Sequence, residues 1–329
     1  MKITSLLFTL VLLCAIPAFG QTPDARPASD ADFKIALPIH PGQLSWRADG
    51  FKIVELSAKS KGQEIGLRGT NDSDRLTFLG FLFLVPEQAP LTSEKCRAGI
   101  LEEQKKNPTL KMLMTAEEKS SGTIPVAIAT YSTHGKNGKT WYSVRGFVAE
   151  GDICGDLEIY SQDAINADDP ELNKIFGSYQ LDPGYVPVFN DMLLYAQILY
   201  RHQMYKAAGP IFEAALAKLG DDPAQQTMRR VTTDQAGMSY GIAGDIPKAR
   251  AIFVSAIAKD PDYPLYYYNL ACADAEEKKL GDARVHLQQA FARKQNMIPG
   301  ETFPDPTKDG SFLPYKNDKD FWTFVEQLH

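Results

Sequence analysis

The amino-acid sequence predicts an α+β domain with a mostly antiparallel sheet, followed by an all-α domain of repeated helix pairs. Three observations carry that expectation. Between residues 32 and 181, short apolar runs alternate with polar residues and are broken by Gly, Pro and Asn. Beyond residue 188 the apolar period lengthens to that of a helix, and a set of small and aromatic residues recurs at a fixed step. Between the two lies LDPGYVPV, Leu181 to Val188, with two prolines and a glycine, and 182–188 reads as a linker.

The chain opens MKITSLLFTLVLLCAIPAFGQ: a lysine, an apolar run, then small residues at Ala18 and Gly20. This pattern predicts a secretory signal peptide over 1–20, cleaved before Gln21, and hence a secreted or periplasmic protein. The run is short for a transmembrane helix, and Leu13 stands where lipidation of Cys14 needs a small residue. Residues 21–31 read as a flexible lead-in. DFKIALP, FKIVEL, EIGLRG and RLTFLGFLFLVP then read as strands. TSEKCRAGILEEQKKN predicts a helix capped at Thr92 or Ser93. TIPVAIATYSTHGKNGKTWYSVRGFVAEG predicts a hairpin about Asn137–Gly138, and CGDLEIYS a further strand. DDPELNKIFGSYQL predicts a closing helix, with Asp168 or Asp169 as cap and Pro170 in its first turn. This element order, with its closing LNKIFGSYQL helix, is loosely similar to PsbP-like α/β/α sandwich domains.

In the second half, GDIPKARAIFVSAIAKDP (244–261) reads as one capped helix, with Asp245 as N-cap, Pro247 in the first turn and Pro261 beyond the end. Ala249, Phe253 and Ala256 mark its packing face. A step of 34 from them lands on Ala283, Leu287 and Ala290, and a step of 41 backwards lands on Ala208, Phe212 and Ala215. Upstream of each lies a candidate first helix: DMLLYAQILYR, RVTTDQAGMSYGIA and LYYYNLACADAEEKK. The middle copy orders Gly237, Tyr240, Gly244, Ala249, Phe253, Ala256 and Pro261, and that order and spacing resembles the tetratricopeptide repeat family. The first copy has Gln203 where the family favours Gly. The third keeps Leu270, Ala271, Ala283 and Ala290 but lacks the final Pro, and no copy has the family's early Trp. The resemblance implies three helix pairs over 189–297, forming a solenoid with a concave surface. The segment 298–329 carries Asp309, Phe312, Asp318 and Phe321 in a spacing similar to tails that follow the last repeat. It is expected to cap the open apolar end with a helix from Asp318 to Leu328.

The chain has 329 residues and a formal net charge of −6. With no basic cluster it offers no electrostatic footprint for nucleic acid, and no stretch after the leader is long enough to span a bilayer. GKNGKT (135–140) ends like a phosphate-binding loop, but Thr133 stands where that loop needs its first Gly. No Cys-x-x-Cys or His-Glu-x-x-His is present, so no metal or cofactor is expected. The acidic pairs at 168–169, 221–222 and 318–320 fall at helix boundaries and loops, where capping explains them.

Cys272 sits among alanines in a repeat helix and reads as a small buried residue. Cys96 and Cys154 are then the candidate disulfide, in keeping with export. The competing reading makes Cys154 an activated thiol with His134 nearby, in a small enzyme or ligand-binding module to which the repeats are an adaptor. The preferred reading is a non-enzymatic interaction protein holding a protein or peptide on the repeat surface. Groove candidates come from the first helices: Tyr195, Leu199, Arg229, Thr233, Tyr240, Tyr266 and Asn269. Tyr266, Tyr267 and Tyr268 are consecutive and point in different directions, so not all three are expected in the core; surface packing against the preceding helix pair is the favoured place for the remainder, and the groove the alternative.

Overall fold

A computed structural model describes residues 32–328 except 60, 61, 107, 121, 122, 136, 137 and 221. The expected signal peptide with Cys14, the lead-in and Asn137 of the expected turn lie outside the described residues. The chain divides into two compact units between Ala207 and Ala208.

The first unit is built on an eight-stranded antiparallel sheet. Its strands are β3 (Phe51–Ala58), β4 (Glu64–Asn71), β5 (Thr77–Leu84), β10 (Ile153–Ser161), β9 (Thr140–Gly151), β8 (Pro125–His134) and β7 (Leu110–Ser120), in that spatial order, with β6 (Leu91–Thr92) pairing on β9. A second antiparallel sheet orders β1 (Asp32–Ala36), β2 (Gln43–Arg47) and β11 (Gln180–Asp182). The long strands follow from their alternation: Leu82 and Phe78 on β5 and Leu157 and Ile159 on β10 are all buried.

Glycines let the two sheets approach. A Cβ at Gly80 would lie 2.5 Å from Trp46 Cη2, and one at Gly155 2.5 Å from Leu44 Cδ1. Trp46 and Leu44 of β2 therefore sit directly on the backbone of β5 and β10. The helix α2 (Pro170–Gly177), capped by Asp169, lies on the same face with Phe176 against Gly146. The opposite face carries α1 (Ser93–Gln104), whose N-cap is Thr92, accepting from Lys95 N at 3.3 Å. Beneath it Cys96, Leu101, Ala129, Phe147, Ala149 and Cys154 form one apolar cluster. Fully burying a side chain such as Phe147 is worth roughly 2–3 kcal/mol.

Four strands were not anticipated, among them the two-residue β6, and β11 falls at the end of the expected closing helix. β7 carries TAEEK, whose charges hide its strand character, and β2 and β11 are short runs between turn residues. The division between units also falls later than the 182–188 linker, because α3 (Phe189–Arg201) belongs to the first unit. The Tyr195 hydroxyl lies 2.5 Å from Lys59 O and 2.7 Å from Glu64 O, and donates to carbonyls at the β3–β4 edge.

Past the boundary, α4 (Tyr205–Leu219) leads into α5 (Gln226–Ile242), α6 (Ile246–Lys259), α7 (Pro264–Glu276), α8 (Leu280–Ala292) and α9 (Lys319–Glu326). Asp245 caps α6 by accepting from Lys248 N at 3.2 Å, and Asp318 caps α9 by accepting from Phe321 N at 3.0 Å. The recurrent triplets Ala208/Phe212/Ala215, Ala249/Phe253/Ala256 and Ala283/Leu287/Ala290 are all buried. Gly237 explains itself: a methyl there would overlap the Phe253 ring, so the glycine lets α6 press against α5.

The turns repeat as well. Gly244, at the α5–α6 turn, has φ +88°. The residues in register with it, Gln203 before and Lys278 after, have φ +60° and +61°. Three turns thus share one left-handed residue, and two of them hold it with a side chain that disfavours it. Among the described residues no helix is long and apolar enough to cross a membrane.

Candidate partner-binding surface of the helical unit

The groove candidates have separate fates. Tyr195 and Leu199 are fully buried in the first unit, so neither is presented to a partner. Burial, partly offset by the two carbonyl contacts, pushes the Tyr195 phenol up to about 12. Arg229 is half-buried and donates to Gly220 O at 2.8 Å and Asp222 O at 3.0 Å, closing the loop before α5. Its neighbour Arg230 grips Asp260 with two nitrogens, at 2.6 and 2.9 Å, and lies over the Tyr263 ring. Thr233 is buried in α5. Tyr240 donates to Glu213 at 2.5 Å, and Lys248 reaches the same carboxylate at 2.8 Å. Asn269 donates to Asp234 at 2.6 Å.

All three consecutive tyrosines are buried, which corrects the expectation that they cannot all belong to the core. The reason is the segment after α8. Tyr268 donates to Asp309 at 3.0 Å and packs edge-on against Phe303 and Phe312. Tyr315 donates to Ala275 O at 2.6 Å, and Tyr263 reaches Glu301 at 2.9 Å. Tyr267 donates to Pro261 O at 3.0 Å beneath the Arg293 guanidinium. Tyr266 stacks edge-on with Tyr263. The tail therefore supplies a third packing side to α7, and Phe312, Phe321 and Val325 complete that core. Glu301 had no sequence signal beyond being an acidic residue in a Pro/Gly-rich stretch.

What stays open is a crevice between successive helix pairs, of about 40 Å³. Its walls are Gly237, Met238, Gly241 and Ile242 of α5, Ile246, Ala249 and Phe253 of α6, and Asn269, Cys272, Ala273 and Glu276 of α7, with Ser311 from the tail. Gly241 makes the opening, since a Cβ there would meet only Ala249 Cβ at 3.7 Å, whereas the Phe253 ring fills the space beside Gly237. The lining is apolar apart from Asn269, Glu276 and Ser311. Burial raises the Glu276 carboxyl above its ordinary range, against an opposing hydrogen bond from Ser311. Such a crevice accepts one small apolar group with a hydrogen-bonding edge.

Deeper in the unit, Asp234 is enclosed. Burial pushes its carboxyl up to about 8, Glu301 adds repulsion, and the Asn269 hydrogen bond opposes both. Burial likewise raises Glu301.

The chemistry proposed for Cys154 is corrected here. Cys154 is disulfide-bonded to Cys96, with Cα atoms 6.1 Å apart, so its sulfur is not a free nucleophile. His134 instead contacts the Thr140 hydroxyl at 2.8 Å across the β8–β9 hairpin. Cys272 is a buried thiol outside any disulfide, with its Sγ 3.9 Å from Asp309 Oδ2. Among the described residues no group of three or more His, Cys, Asp or Glu side chains is placed to hold a metal ion.

No family model matches the chain, and no curated protein matches it. Solved structures give distant likenesses. The Sgt2 TPR domain from Aspergillus fumigatus is 15% identical over 43% of this chain and 83% of its own, with a TM-score of 0.32. A protein from Bacteroides thetaiotaomicron is 10% identical over 69% and 78%, at 0.30. A multi-domain immunophilin from Arabidopsis thaliana is 10% identical over 80% and 98%, at 0.28. At these scores the likenesses carry no argument, and the repeat reading rests on the buried triplets and matched turns. The similarity of residues 32–181 to PsbP-like domains gains no support from the comparisons.

Proposed function

We propose that this protein is an exported, non-enzymatic adaptor that holds a protein or peptide partner on its helical unit. The observation that carries the reading is the crevice between α5 and α7, walled by consecutive helix pairs and left open at Gly241. Repeated helix pairs present such seams as continuous recognition surfaces. The chain's own tail illustrates the mode of recognition, as a non-helical strap anchored by Phe312 and by tyrosine–carboxylate hydrogen bonds to α7. The partner fits as an extended segment that inserts a small apolar side chain beside Asn269 and Ser311. Export is supported by the leader-like N-terminus and by the Cys96–Cys154 bridge, since disulfides persist in oxidising compartments.

The test is selection of peptides from a displayed random library on the full chain, repeated with Gly241→Leu. A Cβ at Gly241 meets only Ala249 Cβ, at 3.7 Å, so the larger side chain fills the crevice without breaking the helix pair. Selected peptides are expected to share an apolar anchor and to lose binding to Gly241→Leu while its melting temperature holds. Peptides that bind both proteins equally would refute the crevice as the site.

A further inference from the structure

The α1 face of the large sheet is apolar under the helix and becomes polar beyond its end. Strand register sets this out. Cys154 and Phe147 lie under α1; two residues further from it on each strand come Asp156 and Arg145, then Glu158 and Ser143. These charges share a face with buried apolar residues, a placement that is costly unless they are paired. Arg145 is paired, with two of its nitrogens on Asp156. Burial works against the charge of Arg145, and the carboxylates outweigh it, so the guanidinium stays protonated. Its third nitrogen lies 3.3 Å from the Tyr131 hydroxyl, which donates to Glu158 at 2.6 Å.

Glu158 is the group left over. Its second oxygen stands 3.8 Å from Arg145 Nη1, in ion-pair range but without a hydrogen bond. One guanidinium therefore faces two carboxylates, and Glu158 is the one it does not hold by a hydrogen bond. That carboxylate lines a cleft of about 190 Å³ with Gln104, Leu110, Tyr131 and Thr133. The volume equals that of about six waters, or a ligand of about as many heavy atoms.

Two further features select the charge of an occupant. Gln104 is the last residue of α1, so the negative end of that helix borders the cleft. The last turn of α1 holds no basic residue, and the lysines just after it, Lys105 and Lys106, are engaged by Glu102 and Glu103 at 2.6 Å each. Next to the lining residue Thr133, across the β8–β9 ladder, Trp141 meets Tyr160 edge-on at 5.6 Å. An aromatic pair beside a half-buried carboxylate suits an organic cation.

We propose that this cleft binds an alkylammonium group, its nitrogen on Glu158 and its carbon stem along Leu110 and Trp141. The group is carried by a small free amine or by a lysine side chain. The site is separate from the crevice of the helical unit, and its test does not depend on that reading.

The experiment is calorimetric titration of the full chain with 1,4-diaminobutane, with a terminally blocked Gly-Lys-Gly peptide, and with 1,4-butanediol as neutral control. At least one amine is expected to bind saturably and the diol not to. Glu158→Gln should weaken the amine by about tenfold or more, since Gln keeps the acceptor for Tyr131 and loses the charge. Trp141→Leu, at the half-buried rim, should weaken it several-fold with the fold intact. Binding of the diamine alone assigns the site to free amines, and binding of the peptide alone to lysine side chains. Equal affinity for the diol, indifference to both substitutions, or no saturable binding of either amine would overturn the proposal.

Discussion

Asp234 gives the most exposed prediction. Its carboxyl is enclosed between α5 and α7, accepts from Asn269 at 2.6 Å and is pushed up to about 8 by burial. An unfolded Asp titrates near 4. Below about pH 4 both states hold the proton and folding incurs no penalty. Between about pH 4 and 8 only the unfolded state releases it, so stability falls by about 1.4 kcal/mol per pH unit, and above about 8 the loss is complete. At pH 7 the accumulated loss is about 4 kcal/mol. Asp234→Asn keeps the oxygen that accepts from Asn269 and removes the proton equilibrium. The substitution is expected to stabilise the helical unit at pH 7 by about 2–4 kcal/mol and to make the difference between pH 5 and pH 8 much smaller. Glu301 is raised too and still contributes, so the slope shrinks without vanishing. Urea unfolding of the full chain, followed by helical circular dichroism at both pH values, reads this directly. If the variant is less stable at pH 8, or shows the wild-type difference between the two pH values, the carboxylate is ionised and paired, and the reasoning fails.

Other consequences are as direct. Lys278→Gly and Gln203→Gly relieve left-handed backbone at φ +61° and +60°, and each should raise stability by about 1 kcal/mol in thermal melts. Gly237→Ala places a methyl in the Phe253 ring and should cost about 1–3 kcal/mol, although alanine is the better helix former; a rise in melting temperature would contradict that packing. Alkylation of denatured, unreduced protein lacking residues 1–20 should label Cys272 alone. Reduction should then cost roughly 4 kcal/mol, from a bridge spanning 58 residues in sequence. Tyr195→Phe removes the donor to Lys59 O and Glu64 O. It should cost about 1–2 kcal/mol and speed amide exchange in α3 before the rest of its unit.

The helical half was legible because its cues are local. Asp245, Pro247 and the alanine–phenylalanine face lie within a few turns of one another, and the step of 34 compares the chain with itself. Caps at Thr92, Asp169 and Asp318 were legible for the same reason. What escaped depends on distant partners. β2 is a strand because β1 and β11 pair on its two edges, β11 is one because Leu181 finds Leu44, and β7 is one despite its charges. Surface roles were hardest. Tyr266 to Tyr268 would need a free side on a two-sided helix, but the tail supplies a third. Tyr195 has the spacing of a groove residue, and only the β3–β4 edge shows where it goes. The polar cleft did have a signal: Arg145 and Asp156 each stand two residues along the strand from a buried apolar residue, Phe147 and Cys154.

The pairing of β2 with β11 also sets an order of events during synthesis. β2 lies between β1 and β11, so one edge of it has no partner until residue 182 has been made. At ordinary translation rates that is a wait on the order of ten seconds. Throughout it Leu44 and Trp46, which later close over Gly155 and Gly80, belong to an unfinished layer. Under the export proposed above, that delay has a use: a unit that cannot close before its last strand emerges stays threadable until most of it is available for transfer. Shortening that delay, by moving β11 ahead of β1 in a circular permutant, should yield a protein that matures faster and crosses a membrane less readily.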